Sequence, residues 1–294
     1  MTATPSPAPD PTIGEDPKPL VAGVASALSP MVRRVLAPNP GMMSGPGTNT
    51  YLVGIDEVCV IDPGPADEGH LDAIVGAAGD AIRWIVATHT HIDHAPGVPG
   101  LKERTGAEVL AFGDRDGLRV DRRLGDGDVI EATEFRLEAV HTPGHAANHL
   151  CYWLAQERTL FSGDHIMQGS TVVISPPDGD MADYLASLRK VRSLRPRAIA
   201  PGHGHLIVDP VAKIDEYLAH RLARERQVLD ALRTLGEAGT QRIVELLYVD
   251  VPAALHPMAR RSVWAHLRKL AADGTARPVR PSDPDDPDAT WAAA

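Results

Sequence analysis

Residues 88–94 read Thr88-His89-Thr90-His91-Ile92-Asp93-His94. The apolar run from Arg83 to Thr88 predicts a buried strand that empties into this polar loop. In an extended loop, His89 and His91 stand two residues apart and project to the same side, so both imidazoles can grip one ion. Asp93 and His94 follow where the pattern predicts a helix to begin, and can grip a second ion. Imidazole and carboxylate ligands suit zinc, with manganese or iron as alternatives.

Three more predicted strands end in the same kind of chemistry. Phe135 to Val140 runs into His141-Thr142-Pro143-Gly144-His145, Thr159 to Ser162 into Gly163-Asp164, and Ala198 to Ala200 into Pro201-Gly202-His203. A single loop histidine is ordinarily a surface residue, and a single Ser-Gly-Asp is ordinarily a turn. All of them at successive strand ends mark a site, because α/β layer folds build sites from such loops. A glycine beside each ligand lets the backbone turn tightly. Two sets of three nitrogens or oxygens plus one shared carboxylate leave room for a bridging water, as metal-assisted hydrolysis requires. His149, His205 and His141 are the nearby candidates for protonating a leaving group, although His141 fits a structural strand-end role better.

In this order the residues resemble the metallo-β-lactamase-fold hydrolases over roughly residues 30–215. The resemblance implies an α/β, αββα sandwich with its site at one edge of two sheets. It implies two metal ions, zinc foremost: His89, His91 and His145 on one, Asp93, His94 and His203 on the other, and Asp164 bridging. Asp62, in Ile61-Asp62-Pro63-Gly64, would support the ligand histidines from behind, and Asp93 would also orient a metal-bound hydroxide. Ala37-Pro38-Asn39-Pro40-Gly41 and Gly47-Thr48-Asn49-Thr50-Tyr51-Leu52-Val53 are similar to the branch that carries a C-terminal winged-helix domain and includes single-strand endoribonucleases. Unlike common antibiotic-hydrolysing members, this chain has the bridging aspartate and no cysteine at a ligand position. The segment between Asp164 and His203 is too short for the inserted domain of the nucleases that process messenger RNA ends.

The 294 residues suffice for such a domain and a small second one. A net charge of −10 argues against a broadly basic protein that binds nucleic acid or membranes. From Lys213 onward the character changes. Predicted helices at Ile214–Leu235, Arg242–Tyr248 and His256–Ala272, then an extended Thr275–Arg280, suggest a winged-helix-like module. It carries Arg221, Arg224, Arg226, Arg260, Arg261, Arg268, Lys269, Arg277 and Arg280.

The expected organisation is a disordered tail over 1–19, a catalytic domain over 20–212, the helical module over 213–281, and an Asp/Pro-rich tail over 282–294 that is disordered apart from Trp291. Cys59 and Cys151 lie in apolar runs and read as buried thiols, compatible with a reducing cytoplasm. No apolar run is long enough for a membrane helix. The expected activity is hydrolysis of an ester-type bond, the substrate being either a small ester, thioester or lactone, as in glyoxalase II, or single-stranded RNA. A winged-helix regulator that keeps the metal domain as a sensor is the non-enzymatic alternative.

Overall fold

The computed structural model describes residues 19–169, 171–280 and 283–294. The predicted tail over 1–19 lies outside the described residues except for Pro19. The first sheet has seven strands in sequential order: β1 (Ala25–Ala27), β2 (Val32–Leu36), β3 (Asn49–Val53), β4 (Val58–Ile61), β5 (Ile82–Val86), β6 (Glu108–Ala111) and β7 (Arg122–Arg123). The pairs from β1 to β4 are antiparallel and those from β4 to β7 parallel. The second sheet holds β8 (Val129–Glu131), β9 (Arg136–His141), β10 (Leu150–Leu154), β11 (Thr159–Gly163) and β12 (Ala198–Pro201), antiparallel up to the parallel β11–β12 pair.

Strand alternation sorts side chains into three apolar layers. Tyr51, Val53, Cys59 and Ile61 of the first sheet face Leu150, Tyr152, Leu154 and Phe161 of the second. Their neighbours Leu52, Val58 and Val60 face outward, against Leu71 and Ile74 of α1 (Glu68–Ala78) and Leu101 of α2 (Val98–Thr105). On the far side, Cys151 and Trp153 face Tyr184, Leu185 and Leu188 of α3 (Met181–Ser193). The result is the αββα sandwich. The two buried cysteines lie in different layers, Cys59 between the sheets and Cys151 beneath α3.

The domain edges differ from the expectation. A single helix, α4 (Pro210–Leu235), starts on the Asp209 cap, whose carboxylate accepts from the Ala212 N–H. Its first half puts Ile214 and Tyr217 into the core under the second sheet, and its second half puts Val228, Ala231 and Leu232 into a separate C-terminal core. The predicted boundary at 212/213 thus falls inside a continuous helix that belongs to both cores.

The C-terminal core is completed by α5 (Thr240–Leu247), α6 (His256–Ala272) and a third sheet of β13 (Glu237–Gly239), β14 (Ala276–Arg280) and β15 (Thr290–Ala293). The tail expected to be disordered over 282–294 apart from Trp291 is therefore corrected over its last residues. β15 is the central strand, with Trp291 opposite both Ala238 and Pro278, and the Trp291 side chain is 0% exposed. Burying that indole outweighs the chain entropy that the Asp/Pro composition favours.

Candidate metal centre

All seven predicted ligand residues converge at the ends of β5, β9, β11 and β12. His89 Nε2 lies 2.9 Å from His91 Nδ1, which lies 3.0 Å from His145 Nε2. Asp93 Oδ2 is 3.3 Å from His203 Nε2 and 3.7 Å from His94 Nε2. Asp164 stands between the two triads. Its Oδ1 is 3.4 Å from His94 Nε2 and 3.3 Å from His203 Nε2, while its Oδ2 is 3.7 Å from His145 Nε2. The expected helix start at Asp93 is corrected: Ile92 to His94 form a turn and α2 begins at Val98. The His94 and Ala95 N–H groups both donate to His91 O, Pro96 has no N–H to continue the ladder, and the Gly97 N–H donates to Gly64 O instead.

The atoms behind the cluster fix which nitrogen of each ring faces inward. The Asp62 carboxylate accepts from the Thr88 N–H at 2.6 Å, from the Thr88 hydroxyl at 2.7 Å and from His94 Nδ1 at 2.8 Å. With its proton committed to Asp62, Thr88 Oγ1 accepts from His89 Nδ1 at 3.0 Å. His145 Nδ1 donates to Val173 O at 2.8 Å and His203 Nδ1 to Gly47 O at 3.1 Å. These four histidines therefore turn Nε2 lone pairs into the cluster, while His91 turns its Nδ1. Two glycines make room for this convergence. A Cβ on Gly202 would stand 2.8 Å from both Asp164 Oδ1 and His94 Cε1, and one on Gly163 would stand 2.5 Å from Thr88 Oγ1. Gly163 also has φ +46°, where side chains are strained.

The cluster's electrostatics mark a place for positive charge. Burial opposes protonation of His94, but the Asp164 and Asp62 carboxylates outweigh it and raise its pKa well above the usual histidine value. Likewise burial is overcome at His203 by the Asp164 and Asp93 carboxylates, each 3.3 Å from its Nε2, and its pKa is pushed up to about 9. Burial and neighbouring His94 and His149 hold His89 well below the ordinary range. Asp164 stays ionised in spite of its burial because His94 and His203 face it. Buried His94 Nε2, His203 Nε2 and Asp164 Oδ1 have no hydrogen-bond partner among the described residues. Buried atoms of this kind ordinarily have one, so these orphaned lone pairs fit cations, and a metal would displace the protons they otherwise attract.

The cluster floors a cavity of about 910 Å³. Asp93, His91, His145 and Asp164 line its base, and Met42, Met43 and the 84%-exposed Ile92 stand at its mouth. None of the three candidate acids lines it. His149 is fully buried behind His89, with Nδ1 held by Thr142 Oγ1 at 2.9 Å. His141 stacks on Phe112 and points Nε2 at Ala147 O. His205 lines a separate, smaller cavity beside Gly204 and Met42. Sequence reasoning missed Thr88, whose hydroxyl links Asp62 to His89; only its place immediately before the motif could have pointed to it.

With this geometry in view, comparison with known proteins is informative. The family model described as "Metallo-beta-lactamase superfamily" matches residues 44–203, more than half of the chain. The chain belongs to the metallo-beta-lactamase superfamily. A second model, "Beta-lactamase associated winged helix domain", matches residues 240–281 of this superfamily member. A Caenorhabditis elegans "Beta-lactamase-like protein 2 homolog" is 33% identical over 258 residues, covering 84% of this chain and 86% of that one. An Aspergillus fumigatus "Atrochrysone carboxyl ACP thioesterase" is 35% identical over 245 residues, covering 77% and 76%. Among solved structures, a beta-lactamase domain protein from Burkholderia ambifaria superposes with a TM-score of 0.81 at 21% identity, covering 95% of this chain and 96% of that one. That likeness confirms the two-part architecture. The superfamily's members are generally hydrolases that bind divalent metals.

Proposed function

We propose that this chain is a dinuclear metal-dependent hydrolase of small acyl esters, thioesters foremost. The observation that carries the reading is Asp164, whose Oδ1 faces the unpartnered Nε2 atoms of His94 and His203 while its Oδ2 faces His145 of the other triad. His89, His91 and His145 would hold one divalent cation, zinc in the first instance, and Asp93, His94 and His203 the second. Two cations there would supply a Lewis acid for the acyl oxygen and would lower the pKa of water toward about 7. Asp93, half-buried and facing the cavity, is placed to orient the attacking water and accept its proton. Water oxygen joins the acyl carbon, the carbon–sulfur bond breaks, and the sulfur leaves with its electron pair. A thiolate, with a pKa of about 8.5, leaves without a strong general acid. That suits a cavity that no histidine lines, among the described residues, beyond the proposed ligands.

The thioesterase name of one relative supports the acyl substrate. The C-terminal basic residues give RNA little support. Arg221 is buried and donates to Val172 O, Arg224 lies over the Tyr248 ring, and Arg260 and Arg268 pair with Asp288 and Asp285. Lys269 pairs with Glu225 and Asp273, and Arg280 with Glu237. A mostly self-neutralised surface is a poor match for a polyanion. The test is a panel of thioesters, lactones and labelled single-stranded RNA offered to zinc-loaded protein. Turnover of thioesters well above RNA is expected, and RNA cleavage without ester hydrolysis would overturn the reading.

A further inference from the structure

One residue of the winged-helix domain, Arg261, lines the cavity, and its charge is uncompensated among the described residues. Arg115, also on the wall, is neutralised by Asp178 at 2.7 Å and Asp116 at 3.3 Å. Arg261, exposed on α6, lines the same cavity and has no ion pair or hydrogen bond among the described residues. Its neighbour Arg260 is tied to Asp288 and Thr240. Arg261, Ser175 and Pro176 are also shared with a second cavity of about 510 Å³, which continues along α6 past Trp264. The loop that carries Ser175 and Pro176 is fastened at two adjacent carbonyls: the Arg221 guanidinium donates to Val172 O, and His145 Nδ1 donates to Val173 O. The wall is thus built from both domains and coupled to a proposed ligand.

We propose that Arg261 is a specificity residue that binds an anionic group, carboxylate or phosphate, on the part of the substrate remote from the scissile bond. The substrate class is then an acyl thioester with a negatively charged end, seated with its reacting carbon over Asp164 and its anion at the junction of the two cavities. This rests on the hydrolase reading above. The physical case is charge and geometry. Two divalent cations against two carboxylates leave the cavity floor net positive, and a guanidinium offers paired donors to planar or tetrahedral oxyanions. Arg261 is not among the proposed ligands and would contact the anion rather than the reacting atoms, so it binds ground state and transition state alike and should act on KM rather than kcat.

The experiment uses matched substrates with the full-length, zinc-loaded protein. Glutaryl- against butyryl-N-acetylcysteamine places a carboxylate on the acyl end, and butyryl-coenzyme A against butyryl-N-acetylcysteamine places phosphates on the leaving end. Arg261→Ala should raise KM for a charged member by roughly 3- to 10-fold with kcat unchanged, leave the neutral member within about twofold, and be partly rescued by Arg261→Lys. A loss confined to either charged member supports the proposal and says on which side of the bond the anion sits. Equal losses on charged and neutral members, or none, overturn it. Calorimetric binding of glutarate against butyrate is the second arm. The wild type should prefer glutarate, and Arg261→Ala should abolish the preference; an unchanged preference overturns the role of Arg261. If no thioester is hydrolysed, the functional reading fails separately, and the binding arm still decides Arg261.

Discussion

The floor of the cavity and the domain that contributes Arg261 to it are opposites in their polar economy. In the floor, buried lone pairs on His94, His203 and Asp164 converge with nothing to bind. In the C-terminal domain several cations are matched at home: Arg260 with Asp288, Arg268 with Asp285, Lys269 with Glu225, Arg280 with Glu237. The difference separates two tasks. Unsatisfied groups held rigidly by Asp62, Thr88 and backbone carbonyls are a device for gripping an ion, whereas a self-satisfied, salt-bridged module is a scaffold. Its one unpaired cation on the cavity wall, Arg261, then stands out among the described residues.

Breaking the floor should have the largest effect. Asp164→Asn removes the carboxylate shared by both triads and is expected to lower kcat/KM by about 10³–10⁴-fold, the several kcal/mol that a Lewis-acid centre supplies. The far-ultraviolet circular dichroism should stay that of the wild type. His89→Ala should behave alike.

The scaffold is broken elsewhere. Trp291→Ala empties the centre of the third sheet and is expected to cost about 3–5 kcal/mol in denaturant unfolding of the C-terminal core, while the metal content stays at the wild-type value. A variant that loses metal first would dissolve the distinction between floor and scaffold.

Sequence legibility followed the same divide. Most of the floor was legible because its donors are local: four of the seven fall within Thr88 to His94, and the others each close a short apolar strand. The sandwich followed from strand alternation, as at Tyr51-Leu52-Val53. What stayed hidden depends on distant partners. Arg260 reads as a free basic residue until Asp288 folds beside it, and β15 reads as a tail until Trp291 finds its pocket. His149 sits close in sequence to His145, but it lies on the buried side of the rings. The turn at Ile92–His94 reads as a helix start because Pro96 suits a first helical turn as well as a turn that delays one.

Subtler changes sharpen the comparison. Asp62→Asn keeps the shape but weakens the hold on His94 and Thr88. Metal affinity measured against a chelator should fall about 10- to 100-fold, with little change in the unfolding of the C-terminal core.

The smallest effect concerns pH. His70 is buried in α1, with Nε2 at 2.8 Å from Thr50 Oγ1, and burial depresses its pKa to about 4 in spite of nearby Asp67. A histidine held neutral in the fold contributes stability that is present above its unfolded pKa of about 6.5 and is lost as pH falls from there toward 4. Unfolding free energy should drop by about 2–3 kcal/mol across that window on this account, and His70→Gln should flatten the slope.

The most direct test of the central claim is metal content measured with activity on one preparation. Mass spectrometry of the purified chain should find two divalent transition-metal ions per chain. Chelation should abolish thioester hydrolysis, and zinc should restore it. Full activity in a preparation without bound metal would contradict the account.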